Sequence, residues 1–145
     1  MAEKQLKKMN IRLFTHTINS LLEFRDVARS PGGEVYGARL CVQAGNFSGS
    51  LKVAYEAECF ETFIRELEHM DRTLTGTATL KALYENDFVT LELDSTGHID
   101  VRGELPDYSE GRFLQLVFEF ETDQTSLAPF IRELKMWRDM TDGGN

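Results

Sequence analysis

The chain has 145 residues, 41% of them hydrophobic and 28% charged, a composition typical of one globular domain rather than of a disordered segment. Its formal net charge of −8 argues against DNA, RNA and anionic lipid surfaces as partners, because an acidic protein repels phosphate groups. No stretch approaches the ~18 consecutive apolar residues of a membrane helix, and the basic N-terminus lacks the apolar segment of a secretory signal, so we expect a single cytoplasmic domain over residues 1–145.

Alternating apolar and polar residues predict four strands in the first half of the chain. We place these strands at residues 10–15, 20–28, 38–44 and 47–55. The loop Ser30-Pro31-Gly32-Gly33 separates the second strand from the third. The short turn Gly45-Asn46 then joins the third strand to the fourth, which makes these two strands antiparallel neighbours.

The second half of the chain shows the same order of elements. Its strands are predicted at residues 77–84, 88–93, 98–105 and 113–120. Short turns at 85–87 and 95–97 connect the first three of them as hairpins. A longer acidic loop at 106–111 separates the third strand from the fourth and is a place where a function could have been added.

A repeated pentapeptide indicates that the two halves are related. Phe63–Leu67 returns as Phe130–Leu134, 67 residues later. Apolar residues at helical spacing surround both copies, at positions 60, 63, 64, 67 and 70 and at positions 127, 130, 131, 134 and 137. The sequence therefore predicts an α+β fold built from a tandem ββββα repeat, with pseudo-repeats at about 9–75 and 76–140. We expect an eight-stranded, mostly antiparallel sheet with both helices on one face.

Charge is distributed unevenly between the halves. Residues 1–75 hold ten acidic and ten basic side chains, whereas residues 76–140 hold thirteen acidic and six basic ones. An acidic surface in the second half would attract a basic surface on another protein. The residues that we expect to contact such a partner lie on the exposed sheet face and in the acidic loop, and are Glu92, Arg102, Glu119, Asp107, Tyr108 and Glu110.

The sequence contains no recognisable catalytic constellation. His98 and Asp100 are two residues apart on a predicted strand and would share a face, but two ligands do not make a metal site. Cys41 and Cys59 have no metal-binding spacing and are expected to be free thiols. We therefore expect no catalytic residue, no cofactor and no metal site.

Three stretches carry a resemblance to known proteins, namely residues 45–49, 97–105 and 118–124. They resemble small single-domain bacterial proteins, a group that includes WapI-like immunity proteins of contact-dependent toxin systems. The resemblance spans about residues 36–140. It implies a cytoplasmic protein that binds and neutralises a toxin domain, and it carries over no catalytic residue.

Three functions remain open on the sequence alone. The first is a non-enzymatic protein-binding module, such as an immunity protein, with a basic partner. The second is a small-molecule-binding or enzymatic domain with a pocket between sheet and helices that uses His98, Asp100 or Arg102. The third is a structural protein that associates with copies of itself through the exposed sheet face or an edge strand.

Overall fold

The structure, a computed structural model, describes residues 9–82 and 86–140. The first half contains β1 (Ile11–Leu13), β2 (Ser20–Arg29), β3 (Val35–Ala44), β4 (Phe47–Glu56) and α1 (Ala57–Thr73). The second half contains β5 (Gly76–Lys81), β6 (Phe88–Leu93), β7 (His98–Asp107), β8 (Leu114–Asp123), a 3-10 turn (Gln124–Ser126) and α2 (Leu127–Asp139). The α+β class and the tandem ββββα order are confirmed. The predicted strand end at 83–84 and the turn residue Glu85 lie outside the described residues.

The expectation of one continuous sheet needs correction. The eight strands divide into two four-stranded antiparallel sheets, in the orders β1-β2-β3-β4 and β5-β6-β7-β8. Helix α1 separates β4 from β5 along the chain and lies beside β5. Alternation of apolar residues determines which face of a strand is buried, but it does not determine which strands of two repeats share hydrogen bonds.

Both helices bury their apolar stripes in one core with the inward faces of the two sheets. The indole of Trp137 on α2 lies at the centre of an aromatic cluster, with ring-centroid distances of 4.8 Å to Phe60, 5.5 Å to Phe24 and 6.0 Å to Tyr36. Its Nε1 donates a hydrogen bond of 2.9 Å to the carbonyl oxygen of Ala28 on β2. Helix α2 of the second repeat is therefore anchored in the first repeat.

The repeated pentapeptide supplies a repeated contact between helix and edge strand. Glu66 Oε1 on α1 accepts a hydrogen bond of 3.0 Å from the backbone N of Thr79 on β5. Glu133 Oε1 on α2 accepts one of 3.1 Å from the backbone N of Arg12 on β1. Both β1 and β5 are edge strands, and an edge strand has backbone groups without a neighbouring strand. The two glutamates thus occupy matching positions, and each accepts a hydrogen bond from the edge strand of the other repeat.

The two ends of the described chain meet at the same end of β2. The backbone N of Val27 donates to the carbonyl oxygen of Met9 at 3.1 Å. Arg29 Nη1 donates to the carbonyl oxygen of Met140 at 3.0 Å. Consequently, α2, the last helix, lies next to β1, the first strand.

The repeats differ most at the connection between their third and fourth strands. The first repeat uses the turn Gly45-Asn46, whereas the second uses residues 108–113. The predicted loop boundary at 106 was wrong, because Pro106 and Asp107 belong to β7 and pair with Gln115 and Leu114 of β8. Proline is tolerated there because the pairing of β7 with β6 ends at Glu104, so its missing N–H faces no partner strand.

The two cysteines were predicted to be free thiols. Cys41 is buried and Cys59 is partly buried, and both are free.

Within the described ranges, neither helix has the length and apolarity needed to cross a membrane.

Removal of either edge-strand contact is expected to lower stability modestly. Glu66→Ala and Glu133→Ala should each reduce the free energy of unfolding by about 1 kcal/mol, because a hydrogen-bond acceptor is lost where water can partly replace it. The two sites share no partner, so the double variant should show the sum. Urea denaturation measures all three. Arg132→Ala, an exposed change on α2, is the control, and glutamate variants as stable as this control would contradict the assigned role.

Candidate partner-binding surface

The outward faces of β6, β7 and β8 bring charged side chains into rows. Residues 99, 101 and 103 of β7 point inward and are buried, so 98, 100, 102 and 104 point outward. One row runs through Thr90, Arg102 and Glu119, and the next through Glu92, Asp100 and Glu121. Paired strands lie about 4.8 Å apart, so side chains within a row are neighbours.

This surface is acidic. Its carboxylates, which we call the acidic face, are those of Glu92, Asp100, Glu104, Glu119 and Glu121. Arg102 Nη2 forms an ion pair of 3.0 Å with Glu92 Oε1 and lies opposite Glu119 on the other neighbouring strand. Both partners of the ion pair are about half exposed, so its contribution to stability is small. Three predicted residues, Glu92, Arg102 and Glu119, are thus together on one surface.

His98 lies at one corner of the acidic face. Its Nε2 is 2.8 Å from Glu121 Oε1 and 3.8 Å from Asp100 Oδ1. The hydrogen bond to Glu121, followed by the negative charges of Glu121, Asp100 and Asp94, raises the pKa of His98 above its usual value, and partial desolvation opposes this. The expected shared face of His98 and Asp100 is present, and Glu121 on β8 adds a third group.

The connection between β7 and β8 carries exposed apolar side chains. The rings of Tyr108 and Phe113 have centroids 5.2 Å apart and are 53% and 57% exposed. Leu114 and Val117 at the start of β8 are 56% and 66% exposed. Leu114 pairs with Asp107 and lines a groove with Leu51 and Leu116, so it faces the first sheet. We call the other three residues, Tyr108, Phe113 and Val117, the apolar tip. Exposed aromatic groups surrounded by polar residues are typical of protein-binding sites.

The acidic face and the apolar tip are continuous along β8. Val117 lies opposite Glu104, and Gln115 Nε2 donates a hydrogen bond of 2.7 Å to Glu104 Oε1. Asp107 and Tyr108 stand at the end of β7, and Glu110 is exposed in the connection that follows. The six residues predicted to bind a partner therefore lie along one hairpin and its neighbouring strand. Asp107, however, has the parity of the inward residues of β7 and lies on the side of the sheet opposite the acidic face.

A cleft that the sequence did not indicate lies between the first sheet and the end of β7. Its volume is about 680 Å³, which is in the range of small-ligand pockets. Asp107 and Tyr108 line it, together with Arg39 and Lys52 of the first sheet. This cleft is not the predicted pocket, which was expected between sheet and helices and was to use His98, Asp100 or Arg102, because none of these three residues lines the cleft.

Basic side chains on the first sheet were also missed. Arg25, Arg39 and Lys52 are directly opposite one another on β2, β3 and β4. The charge balance of the first half concealed this row because many of its acidic residues lie on α1, including Glu58, Glu61, Glu66, Glu68 and Asp71. Strand register, which a composition count does not contain, was needed to find it.

Asp107 is expected to titrate below an ordinary aspartate. Its carboxylate accepts a hydrogen bond of 2.9 Å from the backbone N of Ser109, and this bond, together with one from the Ser109 hydroxyl, lowers its pKa. A lowered folded-state pKa contributes stability above the unfolded value of about 3.9, and that stability is lost as pH falls through the folded value. A carbon-13 NMR titration of the Asp107 carboxyl measures the pKa directly.

The variant Ser109→Ala is the matched test for this assignment. It removes the hydroxyl but keeps the backbone N–H, so the Asp107 pKa should move only part of the way towards the ordinary value. An Asp107 carboxyl that already titrates like an exposed aspartate in the unmodified protein would show that the hydrogen bonds do not form in solution.

Comparison with known proteins adds three findings. The family model described as the immunity protein WapI-like family matches residues 18–138. No curated protein matches the sequence. Among solved structures, a chain of the CdiA-CT/CdiI toxin and immunity complex from Enterobacter cloacae is similar, with 12% sequence identity, a TM-score of 0.46, and coverage of 90% of this chain and 99% of that chain.

Proposed function

This chain belongs to the WapI-like immunity protein family, and on that premise we propose that it neutralises a toxin domain by binding it, without catalysing a reaction. The observation that carries the proposal beyond family membership is the continuity of the acidic face with the apolar tip. We place its action in the cytoplasm, where an immunity protein would meet a toxin that has entered the cell.

The acidic face supports a partner with a basic surface. Its five carboxylates are accompanied on the outward side by the cations Lys81 and Arg102 and by His98. An excess of one charge accelerates encounter with the opposite charge and suppresses encounter with like-charged proteins. We therefore assign the acidic face to steering and orientation of the toxin.

The apolar tip supports a tight contact once the partners have met. Tyrosine and other aromatic side chains are enriched among the few residues that dominate the binding energy of an interface. Tyr108 is already held against Phe113, so less conformational freedom is lost when a partner covers it. We assign the tip to anchoring.

The electrostatic role is tested with the toxin domain that the chain is proposed to neutralise. Glu92→Gln combined with Glu119→Gln should slow association about tenfold at low ionic strength, and the difference should shrink at high salt because the charges are screened. Surface plasmon resonance at several salt concentrations measures this. Glu34→Gln combined with Glu58→Gln removes the same charge from other surfaces, and an equal effect of that control would assign the result to net charge rather than to the acidic face.

The anchoring role predicts a different kinetic effect. Tyr108→Ala should weaken binding by about 2 kcal/mol, or roughly 30-fold, mainly through faster dissociation. Phe47→Ala is the matched control, because Phe47 is an aromatic residue at the corresponding turn of the first repeat and is 73% exposed. In cells that express the toxin, Tyr108→Ala should reduce growth more than Phe47→Ala does. Full protection by a protein that carries both the Tyr108 change and the two glutamate changes would contradict the proposed surface.

A further inference from the structure

We propose that His98, Asp100 and Glu121 form a binding site for a zinc ion at the corner of the acidic face. The proposal does not depend on the toxin-binding function. It depends on three side chains that strand pairing brings together from two strands.

The geometry places three ligand atoms of different residues around one point. One ligand atom of each residue lies within 4.8 Å of the other two, and His98 Nε2 is 2.8 Å from Glu121 Oε1. Two atoms that both bind zinc at about 2.0–2.2 Å are separated by roughly 3–4 Å, so small side-chain rotations are sufficient. The cluster therefore needs little rearrangement to hold an ion.

The backbone supplies a rigid framework for these ligands. His98 and Asp100 are alternate residues of β7 and point to the same side of the sheet. Asp100 is directly paired with Glu121 of β8 in the antiparallel ladder. Ligands that project from paired strands are held more accurately than ligands on loops.

The chemistry of the ligands favours zinc over calcium or magnesium. Imidazole nitrogen is a good ligand for zinc, whereas magnesium and calcium prefer oxygen ligands alone. Three protein ligands leave a fourth tetrahedral position for water, as in open zinc sites. Here the protein ligands would be one imidazole nitrogen and two carboxylate oxygens.

The surroundings favour a cation at this corner. Glu92 lies opposite Asp100 on β6, and Asp123 lies opposite His98 on β8. Asp94 precedes β7 and acts on His98 through its charge. Arg102, the nearest cationic side chain on β7, forms an ion pair with Glu92. A bound dication would relieve repulsion among these carboxylates.

Protons and zinc compete for His98, because a histidine ligand must be neutral. Zinc binding should therefore release a proton and should strengthen from pH 6 to pH 8. The hydrogen bond from the imidazole to Glu121 is replaced by coordination of both groups to the ion.

Isothermal titration calorimetry with zinc chloride at pH 7.5 tests the proposal on the intact chain. One equivalent should bind, and His98→Gln and Glu121→Gln should each weaken binding by at least about tenfold. The matched control is His69→Gln, which removes a histidine on α1. This control should bind zinc within about twofold of the unmodified protein. Circular dichroism confirms that each variant is folded.

A second measurement identifies the ligand atoms. Zinc should shift the His98 imidazole resonances in a nitrogen–proton NMR spectrum and leave those of His69 in place, whereas magnesium should shift neither. Absence of one-equivalent binding in the unmodified protein would overturn the proposal. So would binding that His98→Gln leaves unchanged, since the ion would then be held adventitiously by other surface carboxylates.

Discussion

The fold is held together by packing of each helix against the first strand of the other repeat. Helix α1 lies beside β5, and α2 lies beside β1 at the opposite end of the chain. The second contact crosses the whole sequence: Trp137 is buried beside Phe24 and Tyr36, and Glu133 reaches the backbone of Arg12. Neither repeat alone therefore contains the complete set of surfaces that its own strands and helix bury.

Much of this architecture could be predicted because it is recorded in local patterns. Alternation gave β6 its observed bounds of Phe88–Leu93, and helical spacing gave the buried residues of both helices. The pentapeptide indicated the repeat, and its glutamate proved to have a specific structural role. The division into two sheets was missed because β4 and β5 carry no local signal that distinguishes pairing with each other from pairing within their own repeats.

The sequence likewise predicted part of the candidate surface. Residues two apart on a strand share a face, so Glu92, Arg102 and Glu119 could be assigned to one exposed side once their strands were assumed adjacent. The approach of Glu121 to His98 depends on the register of β7 with β8, which the sequence does not show. The basic row of Arg25, Arg39 and Lys52 and the cleft beside it depend on register in the same way. These features were not predicted because each depends on pairing between strands that are far apart in the sequence or on their register.

Proximity of the two ends of the described chain has a topological consequence. Met9 and Met140 both contact the last residues of β2, so a short linker between them would close the backbone into a ring. The ring could then be opened between α1 and β5, and the resulting circular permutant would run through the second repeat before the first. Every strand would keep its hydrogen-bonded neighbours, because no strand pairing joins β4 to β5.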